Sequence, residues 1–241
     1  MKKNNLFLTF LLSLFFLTGC NDDDDSVRVC IDFIATVVSD TEGAYVVELD
    51  GGEKYYTSST LNQSAKGFEL GDRLYFRYFE INYDQQPDGA DGSEKYPYLI
   101  TNLAYEKMDI LEPVEANEEV NNLPDNQLKF FYAPYLEQTT IDRNYLNFTF
   151  IVPSNAEKDP KFNLIYEKMS QDTLFFKFKA TLEHNASYNR NLCYIETFEL
   201  ENLPKKGVLS IRFNAQEHDL VGMQFLNDST YVLPFVLKSN P

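Results

Sequence analysis

The chain has 241 residues, with 37 acidic side chains against 21 basic ones and a formal charge of -16 at neutral pH. A field of that sign repels phosphate backbones, which sets nucleic-acid binding aside and suits solubility outside the cell, cationic partners or divalent cations. The 20 Phe and 16 Tyr can fill a large aromatic core, enough for one large or two small domains. The absence of Trp argues against the usual aromatic platform of a carbohydrate-binding module, although Tyr can substitute.

At the N-terminus, Lys2 and Lys3 precede residues 6–17, which are apolar except for Thr9 and Ser13. This is the order of a secretory signal, and it falls short of the roughly 20 apolar residues of a spanning helix. Leu17-Thr18-Gly19-Cys20 follows and resembles the lipobox read by lipoprotein signal peptidase. It implies that residues 1–19 are removed and that Cys20 carries the lipid; the alternative is an ordinary secretory signal with a cysteine at the cut. Several acyl chains, at about 0.8 kcal/mol per buried methylene, hold a soluble domain at a bilayer stably where one would not. Removal of residues 1–19 takes away Lys2 and Lys3 and no acid, so the formal charge moves from -16 to -18. Asn21 and the acids at 22–25 form a self-repelling, solvated run, read as a tether over residues 20–27. The run also resembles the acidic export signal of lipoproteins sent to the outer face of the outer membrane. The expected location is therefore the outer membrane, lipid-anchored and exposed at the cell surface.

Val29, Ile31, Phe33, Ala35 and Val37 alternate with Cys30, Asp32, Ile34 and Thr36, which predicts a strand with one apolar face. Residues 44–49 make a second run, Asp50-Gly51-Gly52 a turn, and residues 53–57 the returning strand. After Gly71, residues 72–82 place Leu74, Phe76 and Tyr78 on one side and Tyr75, Arg77, Phe79 and Ile81 on the other. Bulk on both faces predicts a central strand or a barrel stave. A polar loop over 84–94 leads to residues 96–111, which resume the alternation and end at Glu112-Pro113. About five strands within residues 28–112 is the size of a small Greek-key barrel. In the loop, Asp84, Asp88, Asp91 and Glu94 offer oxygen ligands for calcium. Their spacing departs from the EF-hand, and Pro87 with two glycines equally suits a solvated tip. Residues 113–122, acidic and opened by Pro113, read as a linker.

The second unit is placed at 123–241. Residues 162–167 and 173–181 read as a hairpin, with a short helix over Phe162, Ile165 and Met169 as the competing reading. Residues 194–200, 208–213 and 231–237 complete a set of short strands suited to a sandwich.

Gly71-Asp72-Arg73-Leu74-Tyr75-Phe76-Arg77-Tyr78, followed by Tyr98-Leu99-Ile100 and Met108-Asp109-Ile110-Leu111, resembles the N-terminal OB-fold domain of the NigD-like lipoproteins, whose second part is a β-sandwich. Tyr145-Leu146-Asn147-Phe148-Thr149-Phe150 is similar to that family's opening sandwich strand. Asp172-Thr173-Leu174-Phe175-Phe176-Lys177-Phe178 with Leu182-Glu183-His184-Asn185 resembles its central strand and His-Asn corner. Residues 187–191 depart from the family by lacking an acid after the corner. The resemblance implies an all-β chain, a small OB-type Greek-key barrel followed by a β-sandwich. It also implies a non-enzymatic envelope lipoprotein that binds a protein or glycan partner, with a bacteriocin-associated immunity or accessory role.

His184 and His218 are the two histidines, and neither sits in a serine-hydrolase, zincin or dithiol motif. His184 reads as a hydrogen-bonded corner, and His218 beside Asp219 points away from it on a strand. No catalytic, cofactor or metal residue is assigned. Paired carboxylates keep open an alternative, a carboxylate-dependent glycan-active enzyme. Cys30 and Cys193 either bridge the two units or remain separate free thiols. Ser26, Thr173 and Ser229 lie in short Asp-Ser/Thr patterns used for O-glycosylation. Tyr75, Arg77 and Phe79 form the candidate partner-binding face: Arg77 suits a barrel interior poorly but can stack and hydrogen-bond at a surface. The competing reading gives the two aromatics to the core. Because Cys20 is the one thiol at the cleavage site, Cys20→Ala is expected to abolish lipidation; normal palmitate labelling of that variant contradicts the reading.

Overall fold

The computed structural model describes residues 20–24, 26–41, 43–60, 62–65, 67–93, 95–154, 160–181, 190–218 and 230–238. The chain forms two compact units, Met1–Met108 and Asp109–Pro241.

The first unit contains β1 (Cys20–Asp24), β2 (Val27–Thr41), β3 (Ala44–Leu49), β4 (Lys54–Ser58), β5 (Arg73–Asn82), β6 (Tyr98–Leu99) and β7 (Thr101–Met108). The order β6-β4-β3-β2-β5-β7 closes on itself, because β6 and β7 are consecutive pieces of one run separated by Ile100. That run pairs in parallel with β4 at one end (Tyr55 with Tyr98) and antiparallel with β5 at the other (Phe76 with Tyr105). Closure removes free edges, and this ring order is that of an OB-type barrel. Asp50-Gly51-Gly52 makes the β3–β4 turn, as its composition predicts; both glycines lie at positive φ, 106° and 94°, where a Cβ would be strained.

The alternation along β2 and β5 differs from a simple period of two. Cys30, Ala35 and Val37 on β2 and Leu74, Phe76, Phe79 and Ile81 on β5 are all buried, with Phe33 packed against them. Ile31 and Tyr78, directly opposite each other, are 48% and 42% exposed. The phase slips for two reasons: Asp32 sits at φ 60°, and β5 advances two residues from Phe76 to Tyr78 while β7 advances one, a bulge. Ile31, expected on the apolar face, is thus outside. Phe79 and Ile81, expected opposite Phe76, share its side.

At the start of β5, the Arg73 side chain is fully buried. It donates to both carboxylate oxygens of Asp50, at 2.6 and 2.7 Å, and to the Thr36 hydroxyl at 2.9 Å. The Asp72 carboxylate accepts the Glu69 N–H at 2.9 Å and pairs with Lys107 at 2.7 Å. The Gly71 N–H and Asp72 carbonyl bond to the Val37 backbone.

The second unit contains β8 (Ile110–Leu111), β9 (Val114–Glu115), α1 (Glu118–Asn121), β10 (Leu128–Phe131), β11 (Tyr135–Gln138), β12 (Asn144–Ser154), β13 (Lys161–Ser170), β14 (Thr173–Thr181), β15 (Arg190–Glu199), β16 (Lys206–Arg212), β17 (Ala215–His218) and β18 (Thr230–Val236). One sheet runs β17-β10-β12-β15-β8 with β11 paired to β12, the other β18-β16-β14-β13-β9. Their inner faces share one aromatic core. Phe178 of β14 lies 4.9 Å from Phe148, 5.1 Å from Phe150 and 5.7 Å from Phe131 of the facing sheet. Fully burying one such ring contributes about 1.5–3 kcal/mol, so this cluster sets how the two sheets meet. The expected hairpin is present as β13–β14, paired from Lys161 with Thr181 to Ser170 with Thr173, and the helical alternative for Phe162–Met169 is not adopted.

The expected linker at 113–122 is instead built into the sandwich. Ile110 and Leu111 add to β15 beside Thr197 and Phe198, and Val114 and Glu115 add to β13 beside Ile165 and Tyr166. Asn117 caps α1 by accepting the Val120 N–H at 2.9 Å. The buried Lys179 ammonium donates to the carbonyls of Asn121 at 2.7 Å and Leu123 at 3.1 Å, satisfying acceptors the short helix leaves open. The boundary therefore falls at residues 108/109 rather than in an acidic linker. Two-residue strands are too short to show a hydrophobic period.

Candidate functional site

The phase slip in β2 and β5 creates the candidate face. Arg77, exposed, donates through Nε to Glu106 Oε1 at 3.1 Å and through a second nitrogen to the same oxygen; this partner raises the guanidinium pKa by hydrogen bonding and charge. The Tyr75 hydroxyl donates to Asp32 Oδ1 at 2.6 Å. Ile31 and Tyr78 lie side by side on the same outer surface. Tyr75 and Arg77 are therefore together on a solvent face, as the sequence places them. Phe79 is not: it is buried within the barrel, 5.6 Å from Phe76 and 5.3 Å from Tyr55. The bulge replaces Phe79 with Tyr78 and adds Ile31, neither of which a period of two assigns to this side.

Other sequence candidates resolve individually. Cys30 is buried in the first unit and Cys193 exposed in the second, and no disulfide joins the two. In the 84–93 loop, Asp91 accepts the Ser93 N–H at 2.9 Å, and bonds from Ser93 lower its pKa. Gln86 pins the loop by donating to the Asn82 and Leu99 carbonyls and accepting the Leu99 N–H. Glu94 lies outside the described residues. Among the described residues, no group of three or more His, Cys, Asp or Glu comes together in a metal-holding arrangement. His184 also lies outside them. His218 is paired by its backbone to Phe131. Ser26 occupies the turn before β2 and Thr173 opens β14; Ser229 lies outside the described residues.

Two features of the second unit were not legible in the sequence. Glu196 alternates on β15 with Tyr194 and Phe198 and is paired opposite Phe148, so its carboxyl is turned toward the apolar side of the sheet. Burial and then the nearby Asp109 push its pKa up to about 7. The other is a cavity of about 390 Å³ where the 110–115 segment crosses between the two sheets, bounded by Glu112, Pro113, Tyr166, Phe176, Leu200 and Leu203. These residues come from segments far apart in the chain, with no shared motif.

A closed OB-type barrel with an exposed aromatic-arginine face, followed by a β-sandwich, defines a class of two-unit, all-β protein. No family model and no curated protein matches the sequence. In structure, the chain is similar to a protein of unknown function (DUF1344) from Bacteroides vulgatus ATCC 8482, with a TM-score of 0.59, 16% identity, and coverage of 88% of this chain and 92% of that one. It is similar to a putative toxin-related protein from Parabacteroides distasonis ATCC 8503, with a TM-score of 0.55, 17% identity, and coverage of 87% and 93%. It is also similar to a NigD-like immunity protein from Bacteroides caccae ATCC 43185, with a TM-score of 0.53, 12% identity, and coverage of 85% and 95%. At these identities the likeness shows the fold, and the NigD-like resemblance read from the sequence is matched at that level. None of the three neighbours is described as an enzyme.

The raised Glu196 carboxyl makes the stability of the sandwich unit pH-dependent. Its folded pKa of about 7 lies above the unfolded value, so its contribution is complete below about pH 4.5 and is lost as pH rises through 7. Glu196→Gln is expected to remove that decline and to stabilise the unit at pH 8 by about 1–2 kcal/mol, after discounting for partial exposure. Urea unfolding at pH 4.5, 6 and 8 checks this; equal pH dependence in variant and wild type contradicts it.

Proposed function

We propose that this chain is a NigD-like envelope lipoprotein, anchored at the outer-membrane surface through Cys20, which binds a protein or glycan partner by the outer face of β2 and β5 and carries out no bond chemistry. The observation that carries the reading is the paired phase slip at Asp32 and Arg77–Tyr78. A regular barrel strand would bury Ile31 or point it at a neighbour; here a left-handed residue turns Ile31 and Tyr78 to solvent around an ion-paired arginine. Backbone held in that region costs of order 1–3 kcal/mol, toward the low end for Asp, and such strain clusters at binding sites. Tyr and Arg are also the side chains that dominate binding energy at interfaces.

The immunity role printed for the Bacteroides caccae neighbour supports a partner-binding function and suggests a protein partner. The carboxylate enzyme gains little support from the 390 Å³ cavity: Glu196, with its raised pKa, is not among the residues bounding it.

Arg77→Ala combined with Tyr78→Ala is expected to reduce partner capture from envelope extracts at least tenfold while leaving thermal unfolding within a few degrees of wild type. Capture at wild-type strength by the folded double variant removes the proposed face. Turnover of a glycan by the purified protein overturns the non-enzymatic reading.

A further inference from the structure

The cavity of the sandwich unit lies where the sheet edges are only briefly covered. β8 and β9 are two residues each, so they cover β15 only at Thr197 and Phe198 and β13 only at Ile165 and Tyr166. The Ala116 N–H bonds to the Tyr166 carbonyl at 3.0 Å. Among the described residues, no strand pairs with the outer edge of β13 at 167–170. An uncovered edge offers main-chain hydrogen bonds to an incoming strand.

Beside this edge the cavity is walled by Tyr166, Leu174, Phe176, Leu200 and Leu203, with Met169, 48% exposed, at its opening. Its volume of about 390 Å³ is at the low end of the roughly 300–1,000 Å³ of ligand sites, which suits one large apolar side chain. Carboxylates surround it: Glu112, Glu115, Glu199 and Glu201. Three of the neighbouring cations are engaged, while Lys205 and Lys206 follow Pro204 as exposed residues. Arg143 pairs with Glu199 at 3.6 Å, Arg212 with Glu167, and Lys168 lies 5.3 Å from the centre of the Phe175 ring. Among the described residues, Glu112, Glu115 and Glu201 form no ion pair.

We propose that this cleft is a second binding site, for an extended cationic peptide. The peptide adds to the open edge of β13 and seats one large apolar side chain in the cavity, and its flanking Lys or Arg residues meet Glu112, Glu115 and Glu201. Long cationic side chains can lie along apolar walls while their charged ends reach the rim. The chain's net charge of -16 adds long-range attraction for such a ligand, and acidic or neutral peptides lack the complement. The site belongs to the sandwich unit and does not depend on the barrel face.

The test uses the full chain in a non-ionic detergent and the fluorescein-labelled pentapeptide Lys-Lys-Phe-Lys-Lys, followed by fluorescence anisotropy. The expected result is saturable binding that weakens at least tenfold when the central Phe of the peptide is replaced by Ser. The combined variant Glu112→Gln, Glu115→Gln, Glu201→Gln should lose at least tenfold, as should Met169→Arg, which sets a cation at the opening. A charge-matched variant elsewhere, Asp84→Asn, Asp88→Asn, Asp91→Asn, should bind within twofold of wild type. The proposal is overturned by equal binding of the Ser peptide, by equal loss in the loop variant, by unchanged affinity in the glutamine variant, or by no binding up to about 1 mM peptide. Loss of the barrel-face function in Arg77→Ala leaves these measurements unaffected.

Discussion

The barrel depends on a fully buried charge, the Arg73 guanidinium. Removing an ion from water is costly, and a buried pair offsets that cost only with close, well-aligned hydrogen bonds. Arg73 has them: both oxygens of Asp50 within 2.7 Å and the Thr36 hydroxyl at 2.9 Å. These contacts join β5, where Arg73 begins, to β2 through Thr36 and to the β3–β4 hairpin through its tip residue Asp50. The preceding residues extend the lock. Gly71 and Asp72 bond to the backbone of Val37, and the Asp72 carboxylate holds Lys107 of β7.

This lock has a consequence along the same strand pair. β2 and β5 are in continuous register from Thr36–Arg73 to Val27–Asn82, and both ends bury apolar side chains. Phe76 and Phe79 are three residues apart, as are Cys30 and Phe33, so an odd step must fall between them. It falls at Asp32 and Arg77–Tyr78, the point where the outer face gains Ile31 and Tyr78. The outward-facing site is thus the remainder left when two well-packed ends of a strand pair are joined out of phase.

Much of this architecture is legible in residue order. The Asp50-Gly51-Gly52 turn, the meander before it and the β13–β14 hairpin follow from turn chemistry and alternation. The residues carrying the family resemblance, Gly71-Asp72-Arg73, are the same ones that lock the barrel, so the resemblance reports architecture more directly than activity. The slip at Asp32 is hidden because Val29, Ile31, Phe33, Ala35 and Val37 satisfy a period of two, and only tertiary burial of Cys30 and Phe79 breaks it. Residues 113–122 mislead for another reason: their acids and Pro113 suggest solvated chain, while the two-residue pairing at Val114–Glu115 and the Lys179 ammonium supply the order. The cleft between β13 and β15 is non-local, with Glu112 and Glu201 brought near one cavity by sheet pairing alone.

The central claim is that Arg73 and Asp50 act as one unit in holding the barrel together. A double-mutant cycle with Arg73→Met and Asp50→Asn tests it, using native-state hydrogen exchange of the Val37, Leu74 and Phe76 amides in the full chain. That readout isolates the opening of the first unit from that of the second. The account predicts that each single change lowers the opening free energy by about 3–5 kcal/mol, since each leaves a buried group without its partner. The double change should then cost about 2–3 kcal/mol less than the two single effects combined. Additive effects, within about 0.5 kcal/mol, would show that the two residues act independently and contradict the account.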